Sequence, residues 1–319
     1  PRKNDIPENE YGNNDSFAMP TPTRKVQHSP RAGVAPKRNT NVKSSSGNSP
    51  GSPGKNSAFS PIPGNNDLEY KSRDEVPRIG NPKQQLQQYN HIVANLETAE
   101  WPEVFHLINS ARSLAIHHTE VLVSKSGSMR QLVKGLVKQA QNLRSQVAKN
   151  AIIALGELCM DLGRSMDNEI MNVALPLIKR FCDTNAFVSE SSEISLISMI
   201  QYSSPLRTLQ AFLTGGENKS PAIRAKVAVL LHRLVDTRLD DLRYLYQRDS
   251  TVKEFDVLLQ RLPKLVSDNA PEARAAGREI VRVLVHNNVI GIREMECHFA
   301  PDMLEKILKE VSTSSFSSN

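Results

Sequence analysis

Apolar residues recur at helical spacing from about residue 82 to residue 311, and this pattern predicts helices and no strands. Pro221 and Pro271 support two of the predicted helix starts, because a proline in the first turn of a helix lacks only an N–H that would have no partner there. The predicted elements are five pairs of helices and a short cap: 82–97 with 101–117, 119–140 with 144–163, 166–182 with 187–202, 204–214 with 220–236, 250–267 with 272–286, and 300–311. The pattern therefore predicts an all-α chain built from helix hairpins.

A repeated sequence pattern connects four of these pairs. Its copies begin at Asn142, Asn185, Asn218 and Asn269, have an apolar or small residue at Val147, Val188, Ile223 and Ala273, and have a second one at Ala151, Ser192, Val227 and Gly277. A spacing of four places both positions on one helix face, where small side chains let a neighbouring helix approach closely. The copies recur at roughly the 40–47 residues typical of HEAT and armadillo repeats. We therefore expect a HEAT-repeat solenoid over residues 82–311.

Residues 1–80 have a different composition, rich in Pro, Ser, Asn and Gly. Such a segment buries too little apolar surface to offset its conformational entropy, so we expect a disordered tail there and a flexible C-terminus over 312–319. Between Thr21 and Lys55 the tail is basic without an acidic residue, and Ser-Pro pairs occur at Ser29, Ser49, Ser52 and Ser60. Two interpretations stay open: a solvated linker, or a basic tether for a polyanionic surface that phosphorylation weakens.

Charge and cysteine content limit the class of protein. The net charge of +6 favours an acidic partner without identifying it. Cys159, Cys182 and Cys297 form no C-x-x-C pair and lie among apolar neighbours, so we expect buried free thiols in a reducing compartment. No apolar run approaches the roughly 18 residues of a membrane span, and the chain does not start with the apolar stretch of a signal peptide.

Candidate catalytic and metal-binding residues are few. His117 and His118 are adjacent and therefore point in different directions on a helix, and no cysteine or glutamate is placed to complete a metal site. Asp240 and Asp241 lie in a charged stretch with arginines, which indicates a solvated face rather than an acid and base pair. We find no nucleophile elbow, zinc protease motif or kinase signature. The sequence therefore predicts a binding protein that is not an enzyme and needs no cofactor or metal.

The geometry of a solenoid indicates where such a protein binds. In a stack of helix hairpins the short turns within each hairpin line up along one edge, here near residues 98–101, 141–144, 183–186, 215–219 and 268–271. Repeat proteins bind on extended surfaces of this kind rather than in pockets. We therefore expect the partner to lie along this row of turns.

Two of these turns resemble those of a known domain family. The segment Glu97-Thr-Ala-Glu-Trp101 resembles the first turn of TOG domains, and the segment from Lys138 to Ala151 resembles their second turn. The segments 163–169, 183–188 and 204–207 extend the resemblance to TOG domains of the crescerin family, the TOG-array regulators of axonemal microtubules, which are related to CLASP-type TOG domains. The resemblance covers about residues 82–311.

This resemblance implies a paddle of about six HEAT repeats whose turns contact αβ-tubulin or the microtubule lattice. It implies a monomeric domain in the cytoplasm and cytoskeleton, at ciliary (axonemal) or cytoplasmic microtubules, with neither nucleic acid nor membrane as partner. The tubulin-binding residues that it implies are Trp101, Asn142, Arg144, Ser145, Asn185, Phe187, Lys219, Ser220, Asn269, Glu272 and Arg274. Two features depart from the family: Pro102 and Glu103 follow Trp101 where many TOG domains have a basic residue, and the third turn has no basic residue.

Structural roles compete with several of these assignments. Trp101 could be a corner residue of the fold, and the residue type and position of Phe187 favour the core over a contact surface. Arg144 could brace a neighbouring turn, and Arg224 and Arg274 could do the same from equivalent repeat positions. A HEAT scaffold for a partner other than tubulin is the alternative function, while nucleic-acid binding rests on charge alone.

Overall fold

Helices account for almost all of the regular structure in the computed structural model, which describes residue 68 and residues 70–124, 128–249 and 252–314, without the side chains of residues 128 and 310–314. The α-helices are α1 (Pro82–Asn95), α2 (Trp101–His117), α3 (Thr119–Val123), α4 (Ser128–Ala140), α5 (Ser145–Leu162), α6 (Ile170–Phe181), α7 (Ala186–Tyr202), α8 (Pro205–Gly215), α9 (Pro221–Thr237), α10 (Leu239–Arg248), α11 (Lys253–Val266), α12 (Pro271–His286), α13 (Ile292–Glu296) and α14 (Pro301–Ser314). Short 3-10 helices occupy Arg73–Glu75 and Gly163–Met166. No strand occurs in these ranges, and the all-α prediction is confirmed.

Local sequence signals account for five of the helix starts. Proline occupies the first or second position of α1, α2, α8, α9 and α12. Asn81 begins α1 with a reciprocal cap: its side chain accepts from the Gln84 amide N at 3.0 Å, and its own amide N donates to Gln84 Oε1 at 3.1 Å. These devices satisfy or remove the amide groups that a helix N-terminus leaves without a partner.

Five hairpins stack into a two-layer solenoid. The hairpins are α1/α2, α4/α5, α6/α7, α8/α9 and α11/α12. Their first helices pack against one another in sequence, and so do their second helices, so each repeat contacts its neighbours through both layers. This arrangement buries one continuous apolar core and confirms the predicted HEAT-type solenoid.

Each of the last four hairpins is connected by the same type of turn. The residues Asn142, Asp183, Asn218 and Asp268 each accept, through a side-chain oxygen, the backbone N–H two residues later, at 2.8–3.0 Å. Asn and Asp favour this local hydrogen bond in turns. Two copies of the repeat were predicted to start at Asn185 and Asn269, and the structure corrects these starts to Asp183 and Asp268. The turn residue then lies five positions before the predicted apolar position in all four copies.

Small residues allow the close approach of neighbouring helices, as predicted. A Cβ added to Gly277 would lie 3.0 Å from the backbone N of Val266 in α11. A Cβ added to Gly156 of α5 would lie 2.9 Å from the Cα of Ser195 in α7, whose Oγ donates to Ile152 O at 2.9 Å. The second layer therefore depends on glycine and serine where α5 meets α7.

The structure corrects the predicted helices by one division, two additions and one extended boundary. The predicted helix 119–140 is two helices, α3 and α4, and α10 and α13 were not predicted. Helix α10 escaped prediction because Leu242 is its only fully buried residue and charged side chains surround it. Helix α14 continues to Ser314, beyond the predicted boundary at 311.

The folded part of the chain also begins earlier than predicted. Residues 70–80, which we call the N-terminal strap, were assigned to the disordered tail, yet Val76 is only 3% exposed. The Ser113 hydroxyl donates to Pro77 O at 2.6 Å, His117 Nε2 lies 2.9 Å from Val76 O, and His118 Nε2 accepts from Ile79 N at 3.2 Å. The two histidines therefore hold the strap on α2. The rest of the predicted tail, apart from Leu68, lies outside the described residues, and so do residues 315–319.

The cysteines differ from one another in their surroundings. All three are free, with Cys159 buried, Cys182 half-buried and Cys297 exposed, so the prediction of a buried thiol is wrong for Cys297. Burial raises the pKa of the Cys159 thiol to about 12, which keeps it protonated. Within the part of the chain that the structure describes, no cluster of three or more His, Cys, Asp or Glu side chains could hold a metal ion. None of the helices in that part is long and apolar enough to cross a membrane.

Candidate functional site: the turn edge

The turns within the five hairpins lie at the same end of the stack and form one edge, which we call the turn edge. It consists of residues 96–100, 141–144, 182–185, 216–220 and 267–270, together with the first turn of the helix that follows each. These positions lie within one or two residues of the predicted ones. The edge is therefore a product of the repeat, and its character depends on the side chains that each turn presents.

Trp101 and Arg144 join the first two turns. The guanidinium carbon of Arg144 lies 4.7 Å from the centroid of a Trp101 ring, a distance typical of a cation–π contact. Trp101 is partly buried against the core, and Arg144 is exposed. Arg144 therefore braces the neighbouring turn, which was the structural role considered for it, while its charge stays accessible to solvent.

A groove of about 640 Å³ opens between these two turns, and Trp101, Leu143 and Arg144 contribute to its lining. Leu143 is 102% exposed, the largest exposure among the large apolar residues that the structure describes. Leu143 was not among the predicted site residues. The sequence did contain a signal for its exposure, because Leu143 lies between the polar residues Asn142 and Arg144 in a turn between two predicted helices. A fully exposed leucine contributes nothing to the core, so it is available for burial against a partner.

Phe187 presents an aromatic ring at the third turn. Its side chain is 66% exposed, and Lys149 Nζ lies 5.5 Å from the ring centroid. The preference for a core position was therefore wrong. Phe187 precedes Val188 in the first turn of α7, and it is Val188 that turns inward to the core, at 1% exposure.

Two of the predicted site residues use their side-chain polar atoms inside the turns. Asn142 accepts from Arg144 N at 2.9 Å and donates to Gln139 Oε1 at 2.9 Å. Asn185 accepts from Phe187 N at 3.1 Å and caps α7. Both asparagines fix the backbone that carries an exposed neighbour, Arg144 in one turn and Phe187 in the other.

The fourth and fifth turns are braced by arginines. Arg224 Nε donates to Asp268 Oδ2 at 2.8 Å, and its Nη1 donates to Lys219 O at 2.9 Å. Arg274 Nη1 donates to Asp268 O at 2.7 Å and to Asn269 O at 2.9 Å. The hydrogen bond from Arg224 lowers the pKa of the Asp268 carboxyl. Both arginines therefore have the bracing role that the sequence left open.

The remaining predicted residues differ in exposure. Ser145, Lys219, Asn269 and Glu272 are exposed, whereas Ser220 is half-buried and its backbone N donates to Asn218 Oδ1 at 2.9 Å. At the first turn, Glu97 accepts from Lys134 and Lys138 at 3.3 Å each, and these hydrogen bonds lower the pKa of its carboxyl. Two lysines therefore offset the one carboxylate that lines the groove beside Trp101.

Comparison with known proteins gives one family. The family model described as CLASP N terminal matches residues 117–315, more than half of the chain. The mouse protein "TOG array regulator of axonemal microtubules protein 1" is 27% identical over 191 residues, which are 60% of this chain and 10% of the mouse protein. "Crescerin-like protein che-12" of Caenorhabditis elegans is 21% identical over 192 residues, which are 60% of this chain and 14% of that protein. The predicted resemblance to crescerin TOG domains is confirmed.

A solved structure, "Crystal Structure of MAST/Orbit N-terminal domain", superposes with a TM-score of 0.48 at 16% identity and covers 74% of this chain and 100% of that chain. The chain aligns with only a small part, about a tenth, of the mouse relative that it matches. What the longer relatives do as whole proteins therefore reaches this chain only as a proposal.

Proposed function

The chain belongs to the CLASP N-terminal family, and on this basis we propose that it is a microtubule-associated protein whose turn edge binds αβ-tubulin, as the free dimer or in the microtubule lattice. Two relatives bear on this proposal, since one is named for axonemal microtubules and the other is crescerin-like. The function is recognition, without a catalytic step or a cofactor.

The observation that carries the proposal is the surface around the first groove. The guanidinium carbon of Arg144 lies 4.7 Å from the centroid of a Trp101 ring, and the fully exposed Leu143, next to Arg144 in the chain, lines the same groove. Aromatic and arginine side chains supply most of the binding energy in protein interfaces when water is excluded around them. An exposed leucine beside them adds apolar area that is buried only when a partner is present.

Charge at the first groove supports the same assignment, while Glu100 and Glu272 are also exposed along the turn edge. Tubulin is the acidic partner that the family resemblance implies, and the edge offers Arg144 and Lys219 as exposed cations. Glu97 is the carboxylate of the first groove and is already paired with two lysines. Positive charge opposite an acidic surface speeds association and disfavours basic partners. We place the protein at ciliary (axonemal) or cytoplasmic microtubules, in line with the names of its relatives.

The test compares charge reversals on opposite edges of the solenoid. Arg144→Glu changes the turn edge, and Arg207→Glu is the matched control, because Arg207 is exposed near the start of α8 and therefore at the opposite edge. Leu143→Ser is a third variant that removes apolar area without changing charge. Each protein is passed over gel filtration with soluble tubulin and is sedimented with microtubules at moderate salt.

We expect Arg144→Glu to weaken binding at least about tenfold, Leu143→Ser about fivefold, and Arg207→Glu by less than about twofold. Thermal unfolding confirms that all three variants are folded. Equal binding of all four proteins would exclude the turn edge as the contact surface. No binding by the wild type to either form of tubulin would favour a scaffold for another protein partner.

A further inference from the structure

A cleft of about 390 Å³ lies beside the turn edge, where the N-terminal strap crosses the first turns of α5 and α7. Its lining residues are Leu68, Tyr70, Phe105, Ser145, Gln146, Lys149 and Phe187. It shares Ser145 and Phe187 with the turn edge and contains none of the residues that line the first groove. The cleft is therefore a separate surface that a variant of the groove leaves intact.

A buried ion pair gives the cleft a fixed wall. Arg112 is 0% exposed and donates to both Glu157 oxygens, at 2.8 and 2.9 Å, and to Lys71 O at 2.8 Å. Its guanidinium carbon lies 5.2 Å from the centroid of the Tyr70 ring. Because Arg112 holds both the backbone and the ring of the strap, Tyr70 is held in place beside α5. Phe105, 2% exposed, contributes a buried apolar wall.

Lys149 is the cation of the cleft. Its Nζ lies 4.8 Å from the Tyr70 ring centroid and 5.5 Å from that of Phe187, so two aromatic rings flank it. Among the side chains that the structure describes, Lys149 forms no ion pair and no carboxylate lines the cleft. Asp67 and Glu69, which adjoin Leu68, lie outside that part of the chain.

The rings leave apolar surface to be covered. Tyr70 is 41% exposed and Phe187 is 66% exposed, although both adjoin a cleft deep enough to hold a side chain. A ligand that fits must supply an apolar side chain for the rings and a negative charge for Lys149. Neither an apolar ligand nor a bare polyanion satisfies both requirements.

We propose that this cleft binds an acidic peptide segment that carries a large aromatic or aliphatic side chain. The side chain packs against Tyr70 and Phe187, and a carboxylate of the segment pairs with Lys149. The strap is part of this site, since it supplies Tyr70, and Leu68 before it also lines the cleft. The proposal does not depend on tubulin being the partner of the turn edge, and it adds a second recognition surface next to that edge.

The probes are three short, fluorescently labelled peptides: one of glutamates around a single phenylalanine, one with serine in place of the phenylalanine, and one with glutamine in place of the glutamates. Binding to the full chain is measured by fluorescence anisotropy at moderate salt. The variants are Lys149→Gln, which removes the charge, and Phe187→Ser, which removes an exposed ring. Arg144→Glu serves as the control on the turn edge, and thermal unfolding confirms that each variant is folded.

We expect the first peptide to bind at least about tenfold more tightly than the other two, and Lys149→Gln and Phe187→Ser each to weaken it about fivefold. Arg144→Glu should retain peptide binding while it loses tubulin, so failure of one site is distinguishable from failure of the other. Equal binding of the glutamate peptides with and without phenylalanine would reduce the cleft to non-specific charge attraction and overturn the proposal. Unchanged binding by both cleft variants would overturn it as well.

Discussion

The two ends of the turn edge use similar residues for opposite purposes. At the first three turns, apolar side chains face solvent, with Leu143 102% exposed and Phe187 66% exposed, and Arg144 lies on an aromatic ring. At the last two turns, Arg224 and Arg274 hydrogen-bond to Asp268 or to backbone carbonyls of their own turns. A similar row of turns therefore exposes groups for binding at one end and satisfies its own groups at the other.

This difference shows why residue type does not identify a contact residue in a repeat protein. A guanidinium that already donates to a carboxylate and a carbonyl gains little from a partner, because each new hydrogen bond replaces an existing one. Among the residues that the structure describes, the Arg144 guanidinium donates no hydrogen bond that would compete with a partner, and it lies against a ring of Trp101. The first three turns should therefore dominate the binding free energy, and the last two should dominate the local stability.

The largest expected effect is at Trp101. Trp101→Ala should weaken tubulin binding by about 2 kcal/mol or more, because an aromatic anchor and the support for Arg144 are lost together. Arg274→Ala, at the other end, should change binding by less than about 0.5 kcal/mol while lowering the free energy of unfolding by about 1 kcal/mol. Titration of tubulin by anisotropy and chemical unfolding of the three proteins measure both quantities.

Trp101 is partly buried, so its loss also affects stability, and this requires a control. Binding by Trp101→Ala is compared at a temperature well below its unfolding midpoint and beside Arg144→Glu, which changes only an exposed side chain. If Arg274→Ala weakens tubulin binding as much as Trp101→Ala, the distinction between the two ends is wrong.

The second expected effect concerns the free energy of unfolding at the fourth and fifth turns, which we call the braced end. Asp268→Ala removes the acceptor for Arg224 Nε and for Ala270 N, so it should lower the free energy of unfolding by about 1–2 kcal/mol. Asp236→Ala is the matched control, because Asp236 is exposed on α9 and forms no ion pair among the described residues. Urea unfolding at neutral pH measures the difference. Equal stability of the two variants would show that the hydrogen bonds to Asp268 contribute no net free energy to folding.

The hairpins and the turn edge could be predicted from the sequence, because a structural repeat produces a regular pattern of residues. The prolines at the starts of α9 and α12 and the apolar positions at Val147, Val188 and Ala273 placed the hairpins and therefore the turn edge. The same pattern predicted close packing at Gly277, which the structure confirms. Periodicity succeeds here because each helix has one face that must be buried.

The exposed side chains were not accessible in the same way. The repeat had already assigned Val188 to the buried position, equivalent to Val147 and Ala273, and only the residue type of Phe187 favoured the core for that side chain. The strap lacks helical periodicity and looks like the tail before it, although Val76 is buried and histidines on α2 hold its backbone. Its ordering is a tertiary effect, since it depends on residues about 40 positions further along the chain.

The smallest expected effect is the pH dependence of stability that Asp268 contributes at the fourth and fifth turns. The hydrogen bond from Arg224 lowers the pKa of Asp268 in the folded chain, so folding favours the charged carboxylate. Such a group contributes its full stability above the unfolded pKa of about 3.9, and this contribution is lost as the pH falls through the lower folded pKa. The unfolding free energies of the wild type and Asp268→Asn should therefore differ at pH 6 and converge as the pH falls below about 4. The difference in unfolding free energy between the wild type and Asp268→Asn cancels the contribution of the other carboxyl groups. A difference that stays constant down to low pH would mean that Arg224 stabilises the fifth turn without the charge of Asp268, and the contrast between the two ends would then rest on exposure alone.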